Sequence, residues 1–290
     1  MSGPVLSEVV LPRMATPGLR WMRRYGLAAM GGGLILVWLV LAGFAPWTAP
    51  YDPNFVDVSG RLRPPSATHW LGTDALGRDV WSRVIWGGRV SLFVGFTVVL
   101  IGAAFGTMLG ALAAYARGWA EEVLMRITDL VFCFPPIILA MAIAAALGIG
   151  TLNTMIAMLV VWWPKFARLA RSLVIGQRAL EYVEAAVTVG FGPRHILWRQ
   201  IMPNAAGPLI VLVTLDLGNA ILVFAGLSFL GLGVTPPSAE WGAMVAEGRE
   251  LVEQWWVATF PGLAILSVVM GFNFVGDGIR DWLDPHARTR

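Results

Sequence analysis

The sequence predicts an all-α membrane protein with six transmembrane helices and both termini on the cytoplasmic side. Composition, charge-free windows and the placement of basic residues predict it. Of 290 residues, 57% are hydrophobic and 13% charged, and the mean hydropathy is +0.69. A soluble domain carries roughly a quarter charged residues, because its surface must be solvated. Half that share indicates a surface that faces lipid. Fourteen Trp and fourteen Phe suit aromatic belts at the two interfaces. The net charge of +3 does not point to nucleic acid, because the basic residues lie in loops beside apolar spans. A lone cysteine, Cys133, excludes an intrachain disulfide and a Cys-based metal cluster.

Residues 25–51, 90–116, 130–164, 217–239 and 254–276 contain no Asp, Glu, Lys or Arg. About 20 apolar residues cross a hydrocarbon core about 30 Å thick. Four windows therefore hold one span each. The 130–164 window is too long for one helix, and Leu147 to Asn153, rich in glycine, supplies a turn. It reads as a helical hairpin whose second arm runs past Lys165 and Arg168, both able to snorkel. The span in 217–239 begins earlier, after Pro203 and Pro208, and takes in Asp216. The apolar run after Arg13, Arg20, Arg23 and Arg24 reads as an uncleaved first span, since no short core with a small-residue cut site is present.

With the N-terminus inside, 15 basic residues fall on cytoplasmic segments and six outside, which selects this orientation. The resulting divisions are a cytoplasmic segment 1–26, a first helix 27–46, an external loop 47–88, a five-helix domain 89–278 and a tail 279–290. Within the second span Gly102, Gly106 and Gly110 recur every four residues, a bare stripe suited to close helix packing.

The longest cytoplasmic loop, 171–205, has the composition of folded structure. Glu181 to Val189 reads as a short helix, and Gly190 can take the left-handed conformation that ends it. Pro193 sits where a second helix begins, and Pro203-Asn204 is expected to stop that helix. The small pair Ala185-Ala186 would let the resulting knob seat in a partner's groove. Two amphipathic helices lying on the membrane surface fit the same residues.

Glu184-Ala185-Ala186, Gly190 and Ile201-Met202-Pro203 resemble the EAA loop of binding-protein-dependent ABC importer permeases. His69 to Asp74 and Gly77 to Arg83 resemble the outer-loop signature of the C-type permease of dipeptide, oligopeptide and nickel importers. Leu227 to Gly233, Pro236-Pro237 and Asn273 to Pro285 are similar to that family as well. The resemblance implies the type I ABC importer permease fold. It implies a B-type permease partner, two ATPase subunits that hold ATP and magnesium, and an extracytoplasmic solute-binding protein. It assigns ATPase coupling to Glu181, Glu184, Ala185, Ala186, Gly190, Pro193, Ile201 and Pro203. It assigns an external signature to Gly72, Asp74, Gly77, Arg78, Asp79 and Arg83. Short peptides are the implied substrate, with nickel, glutathione or opines as alternatives. The chain lacks the G-x-x-x-x-G-K-[ST] phosphate loop, so ATP hydrolysis is expected in partner subunits. Met202 replaces the usual Leu, Gln200 a common His, and Phe224 a frequent Glu, so an acid at that depth does not carry over.

Asp216, with Asn219 three residues on and Asn273 in the last span, has two readings: a pathway lining that meets a peptide amine, or a structural hydrogen bond. His69, Asp74 and Asp79 read as parts of a folded loop rather than a metal site. Glu240, Glu247, Glu250 and Glu253, with Trp241, Trp255 and Trp256, read as a contact for the binding protein or as a solvated loop with interfacial anchors. An ion-coupled secondary transporter is the rival class; it would show inverted repeats and midplane ionisable residues, and no repeat is evident.

Overall fold

The computed structural model describes the backbone of residues 17–283 and the side chains of residues 26–283. Its helices are α1 (Pro17–Gly43), α2 (Ala45–Thr48), α3 (Val80–Ala116), α4 (Trp119–Phe132), α5 (Pro136–Leu147) and α6 (Thr151–Arg178). They continue with α7 (Glu181–Thr188), α8 (Pro193–His195), α9 (Met202–Phe229), α10 (Trp241–Gly248) and α11 (Trp256–Leu283). No strand occurs among the described residues; Thr73 and Asp79 form an isolated antiparallel bridge. The first helix begins ten residues ahead of the expected boundary at 27, because Pro17 can open a helix without losing a needed N–H. Residues 1–16 of the expected N-terminal segment and 284–290 of the expected tail lie outside the described residues.

Four helical stretches are long and apolar enough to cross a bilayer: Gly26–Gly43, Val80–Ala116, Pro193–Phe229 and Trp256–Leu283. A fifth arises if α4 and α5, bent by 90° at their junction, count together. The bend corrects the expected simple hairpin. Pro135 and Pro136 follow one another there, and a residue before proline is pushed out of the helical region. With 12 residues, α5 spans only about 18 Å, so it needs α4 to reach across. The expected turn before α6 is present: Gly148 and Gly150 have φ of +91° and +149°. Asn153 Nδ2 donates to the carbonyls of Leu147 and Gly148 at 2.9 and 3.0 Å, satisfying orphan acceptors at the end of α5. The remaining expected crossing, α6, has the length but carries Lys165, Arg168 and Arg171 along its second half.

The core is shared by α3, α6, α9, α10 and α11, with Val98, Met158, Trp162, Phe224, Trp241 and Val268 near its centre. A Cβ at Gly106 would lie 2.2 Å from the Trp163 oxygen, and one at Gly110 2.1 Å from that of Ala167. The glycine stripe of α3 therefore lets α6 touch its backbone. The expected stop at Pro203 does not occur. A π-helical turn at Ile196–Ile201 shifts the register, and Pro203 then falls in the first turn of α9, where its missing N–H is tolerated.

Candidate functional site

Three places on the fold hold the polar and motif residues. The first is a knob built from α7, α8 and the π-helical turn. Gly190, at φ +91°, closes α7: its N–H donates to the Val187 oxygen at 3.0 Å, and the Phe191 N–H donates to that of Ala186 at 3.1 Å. These two bonds form a Schellman motif, which needs a left-handed residue at this position. The Phe191 ring then stacks on His195 at 4.5 Å and braces the elbow.

One side of the knob is locked to the bundle. Val183, Ala186, Ile196, Leu197 and Ile201 bury themselves against Ala111 and Ala114 of α3 and Val174 of α6. Arg178 donates to the carbonyl oxygen of Tyr115 at 2.8 Å and lies over its ring, fixing the base of the knob to the end of α3. The other side is open: Glu181, Glu184, Ala185, Val187, Thr188, Val189, Gly190, Pro193 and Pro203 are exposed. The pair Ala185-Ala186 thus divides. Ala185 faces out, while Ala186 is a core residue of this chain. Both cannot enter a partner's groove, because positions one apart on a helix point about 100° apart. Ile201 is likewise buried.

The second place is a buried ionic cap formed by residues 47–79, the start of α3, and α10. Arg78 Nε donates to Asp74 Oδ2 at 2.6 Å, and its Nη2 to Glu247 Oε2 at 2.9 Å. Arg83 lies 3.4 Å from Asp74 and 3.2 Å from Glu247. Asp79 caps α3 by accepting from the Ser82 N–H at 2.8 Å, and its other oxygen meets His69 Nδ1 at 2.9 Å. Gly72 and Gly77 turn the loop at φ +76° and +78°. His69, Asp74 and Asp79 are thus each bonded to other groups of this loop and the start of α3. Among the described residues, no three His, Cys, Asp or Glu converge on a metal position.

Two of the four acids expected to face a docked protein are instead bonded within the chain. Glu240 is wholly buried; it accepts from the N–H groups of Gly242 and Ala243, each at 2.9 Å, and from Ser91 Oγ at 2.9 Å. Burial pushes its carboxyl above the ordinary value, outweighing these donors. Glu247 serves Arg78 and Arg83. Trp241 and Trp256 are buried too, donating to the carbonyls of Val84 and Thr73. They pack the cap rather than anchoring an interface.

The third place is mid-bundle. Asp216 forms an ion pair with Lys165, and the ammonium also lies 4.0 Å from the centre of the Trp162 ring. Of the two readings of Asp216, the structural partner is thus within the chain. Asn219 and Asn273 are exposed, so Asp216 and Asn219 do not share an environment. Sequence reasoning treated Lys165 as a snorkelling residue and missed the pair. The available signal was that Lys165 is the single lysine of the sequence. Glu247 and Arg178 were missed because their partners are distant in sequence.

Residues 106–289 match the family described as binding-protein-dependent transport system inner membrane component. The chain belongs to that family. Residues 19–65 match the N-terminal transmembrane domain of oligopeptide transport permease C. Over 271 residues the chain is 46% identical to the probable D,D-dipeptide transport system permease protein of Escherichia coli, covering 93% of this chain and 91% of that one. It is 42% identical to the glutathione transport system permease protein of Pectobacterium atrosepticum, covering 94% and 93%. It is also 42% identical to the dipeptide transport system permease protein of Alkalihalophilus pseudofirmus, covering 92% and 88%. Membership gives the all-helical type I ABC permease fold and an inner-membrane location. It makes the chain a permease component of a binding-protein-dependent transporter, and the relatives are permease subunits rather than enzymes.

Proposed function

We propose that this chain is the C-type permease subunit of an ATP-driven importer and forms half of the translocation pathway for short peptides. A B-type permease supplies the other half. Two ATPase subunits, which hold ATP and magnesium, sit beneath the pair, and an extracytoplasmic binding protein delivers substrate to the cap. Both termini and the knob face the cytoplasm, in line with the excess of basic residues on that side. The names of the relatives, which transport a D,D-dipeptide, glutathione and dipeptides, favour a short peptide as cargo.

The observation that carries this reading is the two-sided knob. An exposed face with Glu184, Ala185, Val187 and Val189 presents a charge and apolar contacts to a partner. Its inner face is packed into α3, α6 and the root of α9, so displacement of the knob displaces the helices. The surface-helix alternative fits poorly, since Ala186, Ile196 and Leu197 are already covered by protein. In the assembled importer, Glu184→Arg or Gly190→Pro should leave the subunit in the membrane and lower uptake more than about tenfold relative to ATP hydrolysis. Normal coupled uptake in either variant would overturn the coupling role.

A further inference from the structure

The members of the Lys165–Asp216 pair are not equally open. Each stands about midway along a 28-residue helix, and the chain runs toward the knob in α6 and away from it in α9. The pair therefore sits near the middle of the membrane-crossing bundle. The Lys165 side chain is 25% exposed and that of Asp216 8%. Apart from this ion pair, Asp216 Oδ2 has no partner. A cation left open at mid-bilayer depth is costly unless it faces a wet cavity or another polar surface. The neighbouring face of α9 fits such a surface, because Asn219 is exposed there.

One turn farther along α6, Leu169 begins a groove that Pro203, Asn204, Pro208, Val211 and Arg280 continue toward the knob. The charge in this lining is positive, and it contains no acid. The carboxylate that meets Lys165, Asp216, is turned inward and occupied by it, and the nearby Asp129 is likewise taken up, by Arg168 at 2.6 Å.

We propose that Lys165 is a specificity-determining residue of the pathway, whose ammonium takes the terminal carboxylate of a peptide in passage. Asp216 holds the ammonium in place and neutralises it between cargoes. The exchange is of ion pairs, with no bond made or broken. This reverses the reading in which Asp216 selects a peptide amine, and it rests on the assignment of the chain to a peptide importer.

The test uses the complete importer with its binding protein in lipid vesicles, and a dipeptide supplied as free acid or as C-terminal amide. The neutral double variant Lys165→Gln/Asp216→Asn should lower the acid-to-amide uptake ratio about tenfold or more. The swapped variant Lys165→Glu/Asp216→Lys retains an ion pair but opens a carboxylate to the pathway; it should lose acid uptake more than amide uptake. If amide is not carried, the same loss is read as a raised KM for the acid at comparable membrane levels. A purely structural pair predicts an unchanged ratio and KM in both variants, and that result overturns the proposal while leaving the importer reading intact. Absence of any peptide uptake by the unaltered importer overturns both.

Discussion

Arg83 Nη2 lies 3.2 Å from Glu247 Oε1, joining residues 164 positions apart. Glu247 also takes Arg78, so one carboxylate of α10 ties two buried guanidinium groups to the end of the bundle. Breaking a fully buried pair costs about 3–5 kcal/mol. The Glu247 side chain is 33% exposed, and solvent reduces that figure. Glu247→Gln should therefore destabilise the protein by about 1–3 kcal/mol, read as a lower thermal midpoint in detergent or lipid discs. An unchanged midpoint would show that the cap does not depend on this carboxylate.

At the other side of the cap, Asp79→Ala removes the N-cap of α3 and strands His69 and Ser82. Loss of such a cap costs about 0.5–2 kcal/mol. Asp79→Ser should restore part of the loss, because a serine oxygen can still accept from the Ser82 N–H. Denaturant midpoints of the three proteins give the ordering.

Glu240 predicts a pH dependence. Burial raises its folded-state carboxyl above the ordinary value of 4.5, so folding favours proton uptake at this site. Its stabilising contribution is complete below about pH 4.5 and is lost as pH rises through the raised folded value. Glu240→Gln stays neutral and should show a flatter thermal midpoint over that rise. Parallel pH profiles for the two proteins would contradict the direction.

The contact of α3 with α6 makes Gly110 intolerant. Gly110→Ala places its Cβ 2.1 Å from the Ala167 oxygen, whereas Gly176→Ala meets nothing within 4 Å. The first should cost about 1–3 kcal/mol through overpacking. The second should be neutral or stabilise by up to about 1 kcal/mol, since alanine replaces glycine inside a helix. Thermal midpoints of the two variants test this contrast.

Lipid-facing composition and charge-free windows are one-dimensional signals, so the all-helical fold and the turn before α6 were legible in the sequence. Local chemistry was legible as well: Gly190 ends α7 in the left-handed conformation that its position predicted. The 90° break at Pro135 was missed because hydropathy does not record direction. The fate of Ala186, Glu240 and Lys165 depended on what packs against them. Ala114, Ser91 and Asp216 are 50 or more positions away, and no periodicity reports such neighbours.

Helix α3 runs 37 residues without a break, from the Asp79 cap to the cluster that grips the knob. At 1.5 Å per residue it is a rod of roughly 55 Å. Its glycine stripe fastens it to α6 along the way. A tilt of about 5° about one end would carry the other by roughly 5 Å over that length. If the proposed function holds, a partner arriving at the cap and a partner moving at the knob act on the two ends of this one rod, and neither event is mechanically private.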